Sequence, residues 1–152
     1  MDALDRKILN TLQRDASKPA EQIGDEIGLS RNACWRRIKR LEEDGVIARR
    51  VALLDPAQLN LGLSVFIAIR TRSHTPEWLE QFKRAVRDLS EITGVYRMSG
   101  DTDYLLRASV PDMAAYDGLY QRLIAKVELE DVSSSFVMET IKETTELPLN
   151  YL

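Results

Sequence analysis

Cysteine and histidine are nearly missing from this chain, with Cys34 and His74 the lone examples. One cysteine excludes an internal disulfide framework. One of each leaves too few soft ligands for a zinc site. Long apolar runs are missing too. The longest apolar-rich stretch, Leu61 to Ile69 (LGLSVFIAI), is far short of the ~20 residues that span a bilayer. The opening residues MDALDRKIL are acidic and amphipathic and hold no signal-peptide core, so a cytoplasmic protein without membrane contact is expected. There is no glycine-rich phosphate loop, no Ser-His-Asp set and no clustered metal ligands. Asp101 and Asp103 are the one pair that could act as acid and base, but nothing around them offers an activated partner. His74, in SHTP, reads as an exposed turn residue. No enzyme, catalytic residue, metal or cofactor is therefore expected.

Charge is present in quantity and is unevenly placed. The 152 residues are 44% hydrophobic and 30% charged, with net charge -3, which is the composition of a globular protein. Residues 1–50 carry eleven Lys and Arg against nine Asp and Glu, whereas residues 51–152 carry ten against fifteen. Such asymmetry suggests two modules with different partners. Within GLSRNACWRRIKRLEEDGVI, Arg31, Arg36, Arg37, Lys39 and Arg40 fall in ten positions with no acid among them.

Helical periodicity explains that cluster. Leu4, Ile8, Leu9 and Leu12 mark a first amphipathic helix capped by Asp2, and Ala20, Ile23 and Ile27 mark a short second one, opened by Pro19 and stopped at Gly28. Ser30 caps a third, with Leu29 placed to staple onto Cys34. On its wheel Cys34, Ile38 and Leu41 share one face. Asn32, Arg36 and Lys39 lie nearly opposite, with Arg40 beside them, Arg31 in the first turn and Trp35 on the flank. This is the helix-turn-helix pattern, whose second helix enters the major groove. Arginine can grip guanine and asparagine can grip adenine, each with two bonds. The DNA-binding set is accordingly Arg31, Asn32, Trp35, Arg36, Lys39 and Arg40. Trp35 reads equally as a cover for the core edge, and Cys34 reads as a buried small hydrophobe. The run VIARRVALLDP is extended, a short strand pair or linker strand, with Arg49 and Arg50 either on phosphates or simply in solvent.

After Leu61 the pattern changes. LSVFIAIRT reads as a strand. Thr75-Pro76 then opens a helix striped by Trp78, Phe82, Ala85, Val86 and Leu89. TGVYRMSG and YLLRASV are strands about the turn GDTD. Asp112 caps a helix bearing Met113, Tyr116, Leu119, Tyr120, Leu123, Ile124 and Val127, and DVSSSFVMETIK closes as a strand. The order βαββαβ is the ferredoxin-like pattern. The fold class is thus α+β: a winged helix-turn-helix over residues 1–50, a linker strand over 51–61, and a ferredoxin-like ligand-binding and oligomerisation domain over 62–152. Helices cover one sheet face and apolar groups remain on the other, so a sheet-to-sheet homodimer is expected. Two coupled helices could then read half-sites about one turn of DNA apart.

The chain resembles the Lrp/AsnC (feast/famine) family of transcriptional regulators. The resemblance rests on LDRKIL, GLSRNACWRRIKRLEEDGVI, VALLDP followed by LGL, GDTDYLL and SSFVMETIKETTELPL, and so spans nearly the whole chain. It departs at Asn32 and Ala33, where many relatives carry proline. The resemblance implies a regulator that binds duplex DNA and is tuned by an amino-acid effector, and that forms homodimers assembling into an octamer or another multiple of dimers. It also points to the branch linked to cysteine and related sulfur or aliphatic amino acids. The family's effector loop falls on Gly100, Asp101, Thr102 and Asp103, with Met98 and Tyr104 bordering it and Ser134 matching a ligand-facing hydroxyl. The residues agree to this extent: a glycine turn exposes N–H groups for a carboxylate, and an aspartate can accept bonds from an ammonium. Spacing alone favours a plain hairpin turn over a ligand loop, and it is the resemblance that reverses that order.

Overall fold

Four of the five α-helices begin where the sequence supplies a side-chain oxygen to cap them, and only the second, opened by Pro19, does not. Asp2 accepts from the N–H groups of Leu4 and Asp5, both at 2.9 Å, and Asp5 returns the bond to the Asp2 N–H at 3.0 Å. This reciprocal box opens α1, Ala3–Arg14. Helix α2, Ala20–Ile27, ends at Gly28, whose φ of 77° is left-handed and suits glycine. Ser30 accepts from the Ala33 N–H and opens α3, Arg31–Glu43. Ile8, Leu9, Ile23, Cys34, Ile38 and Leu41 are buried together as the core of this bundle. The computed structural model describes all residues 1–152 and divides into two compact units, Met1–Leu53 with Ile141–Leu152, and Leu54–Thr140.

One expectation fails at the edge of the first unit. Residues 51–61 form no linker strand, and no wing ladder forms. After an extended run, Asp55 caps a 3-10 turn at Pro56–Leu59 by accepting from the Ala57 N–H at 3.0 Å. A strand exists by pairing its backbone, and VALLD pairs with no other strand of the chain. The tail, residues 141–152, packs with the helices of the first unit. Gln13 donates to the Leu147 carbonyl at 3.2 Å and accepts from its N–H at 2.6 Å. Arg14 pairs with Glu146 at 3.0 Å, and Leu149 packs on the bundle core. A carboxamide can satisfy both backbone groups of one residue, so α1 can dock an extended segment without a sheet.

The second unit is a four-stranded antiparallel sheet in the order β2-β3-β1-β4. Its strands are β1 Leu63–Arg70, β2 Ile92–Arg97, β3 Tyr104–Val110 and β4 Asp131–Phe136, with helices α4 Pro76–Arg87 and α5 Met113–Lys126. This is the expected βαββαβ order. Strand side chains alternate between faces. Val65, Ile67, Ile69, Leu106, Ala108 and Val110 point to one face and are buried with Trp78, Phe82, Leu119 and Leu123 of the helices. The opposite face carries Phe66, Ala68, Tyr96 and Leu105. There Phe66 is 38% and Tyr96 50% exposed.

Candidate nucleic-acid interface and effector loop

The core stripe of α3 fixes which side of the helix is left outside. Cys34, Ile38 and Leu41 are buried, which turns Arg31, Asn32, Arg36 and Lys39 outward, and none of these four takes an ion pair or side-chain hydrogen bond. They leave three positive charges and an amide free on one surface. Trp35 is 55% exposed, so it is more than a lid on the core. It lines a cavity of about 540 Å3 with Lys18, Ile38, Lys39 and Arg50. Lys18 is paired with Glu26 at 2.6 Å and Arg50 with Glu42 at 2.8 Å, while Arg49 stays exposed. Burial pushes the Cys34 thiol up, so it stays protonated and inert.

Arg40, expected on the DNA side, and Arg37 turn the other way. Both reach the carboxylate of Asp5, which is almost wholly buried. Arg37 Nη1 donates to its Oδ1 at 2.8 Å and Arg40 Nη2 to its Oδ2 at 2.7 Å. Arg37 also donates to Asp2 at 2.8 Å. Desolvation pushes the Asp5 carboxyl up, but the Asp2 N–H and the two guanidinium groups outweigh it and hold it below its ordinary value of 3.8. The same bonds to Asp5 and Asp2 raise Arg37. A helical wheel places Cα atoms and not the tips of long side chains, which is why the pairing of Arg40 with Asp5 is not legible in it. The signal was present, however. Asp5 lies within about 40° of Leu9 on the wheel, an acid on an apolar stripe.

In the second unit the expected loop is fastened at its base. Met98 N–H donates to the Asp103 carbonyl at 2.9 Å, and Asp103 N–H donates to the Ile69 carbonyl at 3.0 Å. The Asp103 carboxylate accepts from the Thr71 N–H at 2.8 Å and lies 4.0 Å from His74 Nε2. Asp103 is thus a brace between the loop and the end of β1. Sequence reasoning did not anticipate that contact with Thr71 and His74. Gly100 has φ 96°, a conformation other residues adopt only with strain. Asp101 is exposed and takes no partner in the chain. Met98, Gly100, Asp101, Thr102 and Asp103 therefore come together, with Met98 42% exposed beside the tip.

Ser134 and Tyr104 do not join them. Ser134 pairs in register with Ile67 and so faces the helices, where its hydroxyl bonds that of Tyr116. Tyr104 is buried, with ring centroids 4.7 Å from Phe82 and 5.7 Å from Trp78. Parity explains both. In a strand, one residue step decides the face, and these two fall on the covered one.

Comparison with known proteins bears on both surfaces. Residues 1–42 match the AsnC-type helix-turn-helix domain, and residues 64–147 match the Lrp/AsnC ligand binding domain. The chain belongs to the Lrp/AsnC family. It is similar to the glutamate uptake regulatory protein of Zymomonas mobilis, 47% identical over 98% of this chain and 91% of that protein. An AsnC family transcriptional regulator from Agrobacterium tumefaciens has a crystal structure that matches with TM-score 0.96 and 57% identity, covering 100% of this chain and 99% of the other. A transcriptional regulator from Neisseria meningitidis, solved as a complex with L-methionine, matches with TM-score 0.95 and 37% identity over 99% and 98%. Membership of Lrp/AsnC makes the chain an effector-modulated transcriptional regulator with a DNA-binding helix-turn-helix, and not an enzyme. No helix is long and apolar enough to cross a membrane.

Proposed function

We propose that the outer face of α3 enters the major groove, with Asn32 and Arg36 toward base edges and Arg31 and Lys39 toward phosphates. The observation that carries this reading is that these four side chains are exposed and unpaired, Asn32, Arg36 and Lys39 on one face and Arg31 in the first turn. Cations already paired with acids neutralise little phosphate, whereas free ones release counterions. Trp35 packs its exposed ring along the backbone at the edge of the contact. The expected binding is therefore saturable and falls steeply with salt. Fluorescence anisotropy of a duplex selected from a random pool tests this, and binding that ignores salt refutes it.

The second part of the reading is an amino-acid effector held at Met98 and Gly100–Asp103. Asp101 supplies a free carboxylate for the ammonium, the N–H groups around Gly100 suit the carboxylate, and Met98 offers an apolar, polarisable neighbour. The methionine complex of the Neisseria relative supports a sulfur-containing or aliphatic effector. Thermal melting against a panel of amino acids identifies it, because a ligand in excess raises the melting point by mass action.

The open sheet face of Phe66, Ala68, Tyr96 and Leu105 supports a homodimer, and dimers assemble further into an octamer or another multiple. The effector acts by favouring one assembly over another, and it can do so only by its differential affinity for the two. The protein works in the cytoplasm, where its DNA and its effector meet.

A further inference from the structure

Two of the five cations on α3 are absent from its free face, and both end on one carboxylate. We propose that Asp5 is a positioning residue for sequence discrimination: it fixes the roll of α3 and withholds Arg37 and Arg40 from the duplex. The proposal rests on α3 being the DNA-reading helix.

The geometry carries it. The Asp5 side chain is 2% exposed, yet it receives three donors: Arg37 on one oxygen, and Arg40 and the Asp2 N–H on the other. A helix cap needs only the last of these. Residues 37 and 40 are three apart, so they leave α3 from nearly the same side, one turn apart along its axis. Two struts converging on one buried point fix the rotation of a helix as well as its distance. A single strut would let it roll. A roll would carry Asn32 and Arg36 out of register with base edges, which demand exact placement, while the long flexible side chains of Arg31 and Lys39 can still reach phosphates. Affinity would then survive and discrimination would not.

Charge points the same way. Asp2 and Asp5 balance Arg37 and Arg40, so a neutral patch borders the cationic face of Arg31, Arg36 and Lys39. An arginine released from its acid binds phosphate on any sequence and so raises non-specific binding above all. Arg40 is half exposed and Arg37 a quarter exposed, so both can swing outward once the carboxylate is neutralised.

The test measures binding of the full chain to its selected duplex and to an unrelated duplex over a series of salt concentrations. Each lost phosphate contact flattens the log–log salt slope by about 0.9 per recognition helix engaged. Lys39→Gln, which removes a phosphate contact, is expected to flatten the slope, whereas Arg40→Gln leaves it unchanged. Asp5→Asn is expected to steepen the slope on unrelated DNA, by up to about 1.8 per helix for two freed arginines, and to lower the ratio of selected to unrelated binding. A role confined to folding would not move the slope. Arg40→Gln keeps the Arg37 strut, so it decides the matter even if Asp5→Asn does not fold. Equal flattening by Lys39→Gln and Arg40→Gln overturns the assignment to Asp5, because Arg40 would then be on phosphate. A wild-type chain with no saturable, salt-dependent binding overturns the reading of α3, and this assignment with it.

Discussion

Replacing Gly24 by alanine sets two effects of known size against each other. Alanine is favoured over glycine inside a helix by about 1 kcal/mol. Gly24, however, faces the turn between α2 and α3. A Cβ there would lie 2.6 Å from the Leu29 carbonyl oxygen and 3.5 Å from Cys34 Cβ. The oxygen cannot retreat freely, because its own residue is tied back by the bond from Leu29 N–H to the Gly24 carbonyl at 2.8 Å. Overpacking of this kind costs about 1–3 kcal/mol. A 2.6 Å approach to backbone puts the steric cost in the upper part of that range, about 2–3 kcal/mol, so it wins by roughly 1–2 kcal/mol, or several degrees in melting temperature for a unit of this size. Gly118 in α5 is the matched control: it is helical and exposed with nothing near its absent Cβ, so Gly118→Ala is expected to stabilise by about 0.5–1 kcal/mol. Each unit holds one tryptophan, Trp35 or Trp78, so fluorescence in a Trp78→Phe background follows the first unit alone. A Gly24→Ala chain as stable as its parent, or more so, would refute the packing argument.

Other expectations concern charge, ligand and assembly. Because the Asp5 carboxyl is depressed in the folded state, its contribution is fully present above its unfolded value and lost as pH falls through the folded one. Below pH about 4, melting of the first unit should therefore fall more steeply in the parent than in Asp5→Asn; equal slopes would contradict the pairing. Asp101→Asn should weaken effector binding by roughly 1.5–3 kcal/mol in titration calorimetry, the worth of a charge-assisted bond, with the melting of the free protein unchanged. Asp103→Ala should instead destabilise the second unit by about 1–3 kcal/mol, because it orphans the N–H of buried Thr71. Phe66→Glu, on the open sheet face, should shift sedimentation toward the monomer without lowering the Trp78 transition. A variant that remains dimeric would exclude that face as the interface.

What could be read from residues alone follows a physical pattern. Helices declared themselves because caps and stripes are local: Asp2, Ser30, Thr75 and Asp112 all accept the backbone bonds their positions suggest. Strands were legible in order because alternation is local too. The linker was not, since a strand is defined by a partner that sequence does not name. The docking of Leu147 on Gln13 spans 134 residues and leaves no periodic trace. Ser134 and Tyr104 were lost to parity, where one step along a strand reverses the face. The pairing of Arg40 with Asp5 was lost to reach, since its Cα sits beside the free face while its guanidinium crosses to α1. Asp103 was chemically right for a ligand loop, but its carboxylate is spent on Thr71, which leaves Asp101 as the free acid.

The contact of α3 with DNA bears most directly on the whole reading, and photo-crosslinking measures it. A photoreactive residue placed at Asn32, and in a second chain at Met138 as an exposed control, is irradiated with bound duplex. Crosslinks from position 32 to bases of the selected sequence, and none from 138, are the expected result. A duplex that stays bound while position 32 captures no base would contradict it.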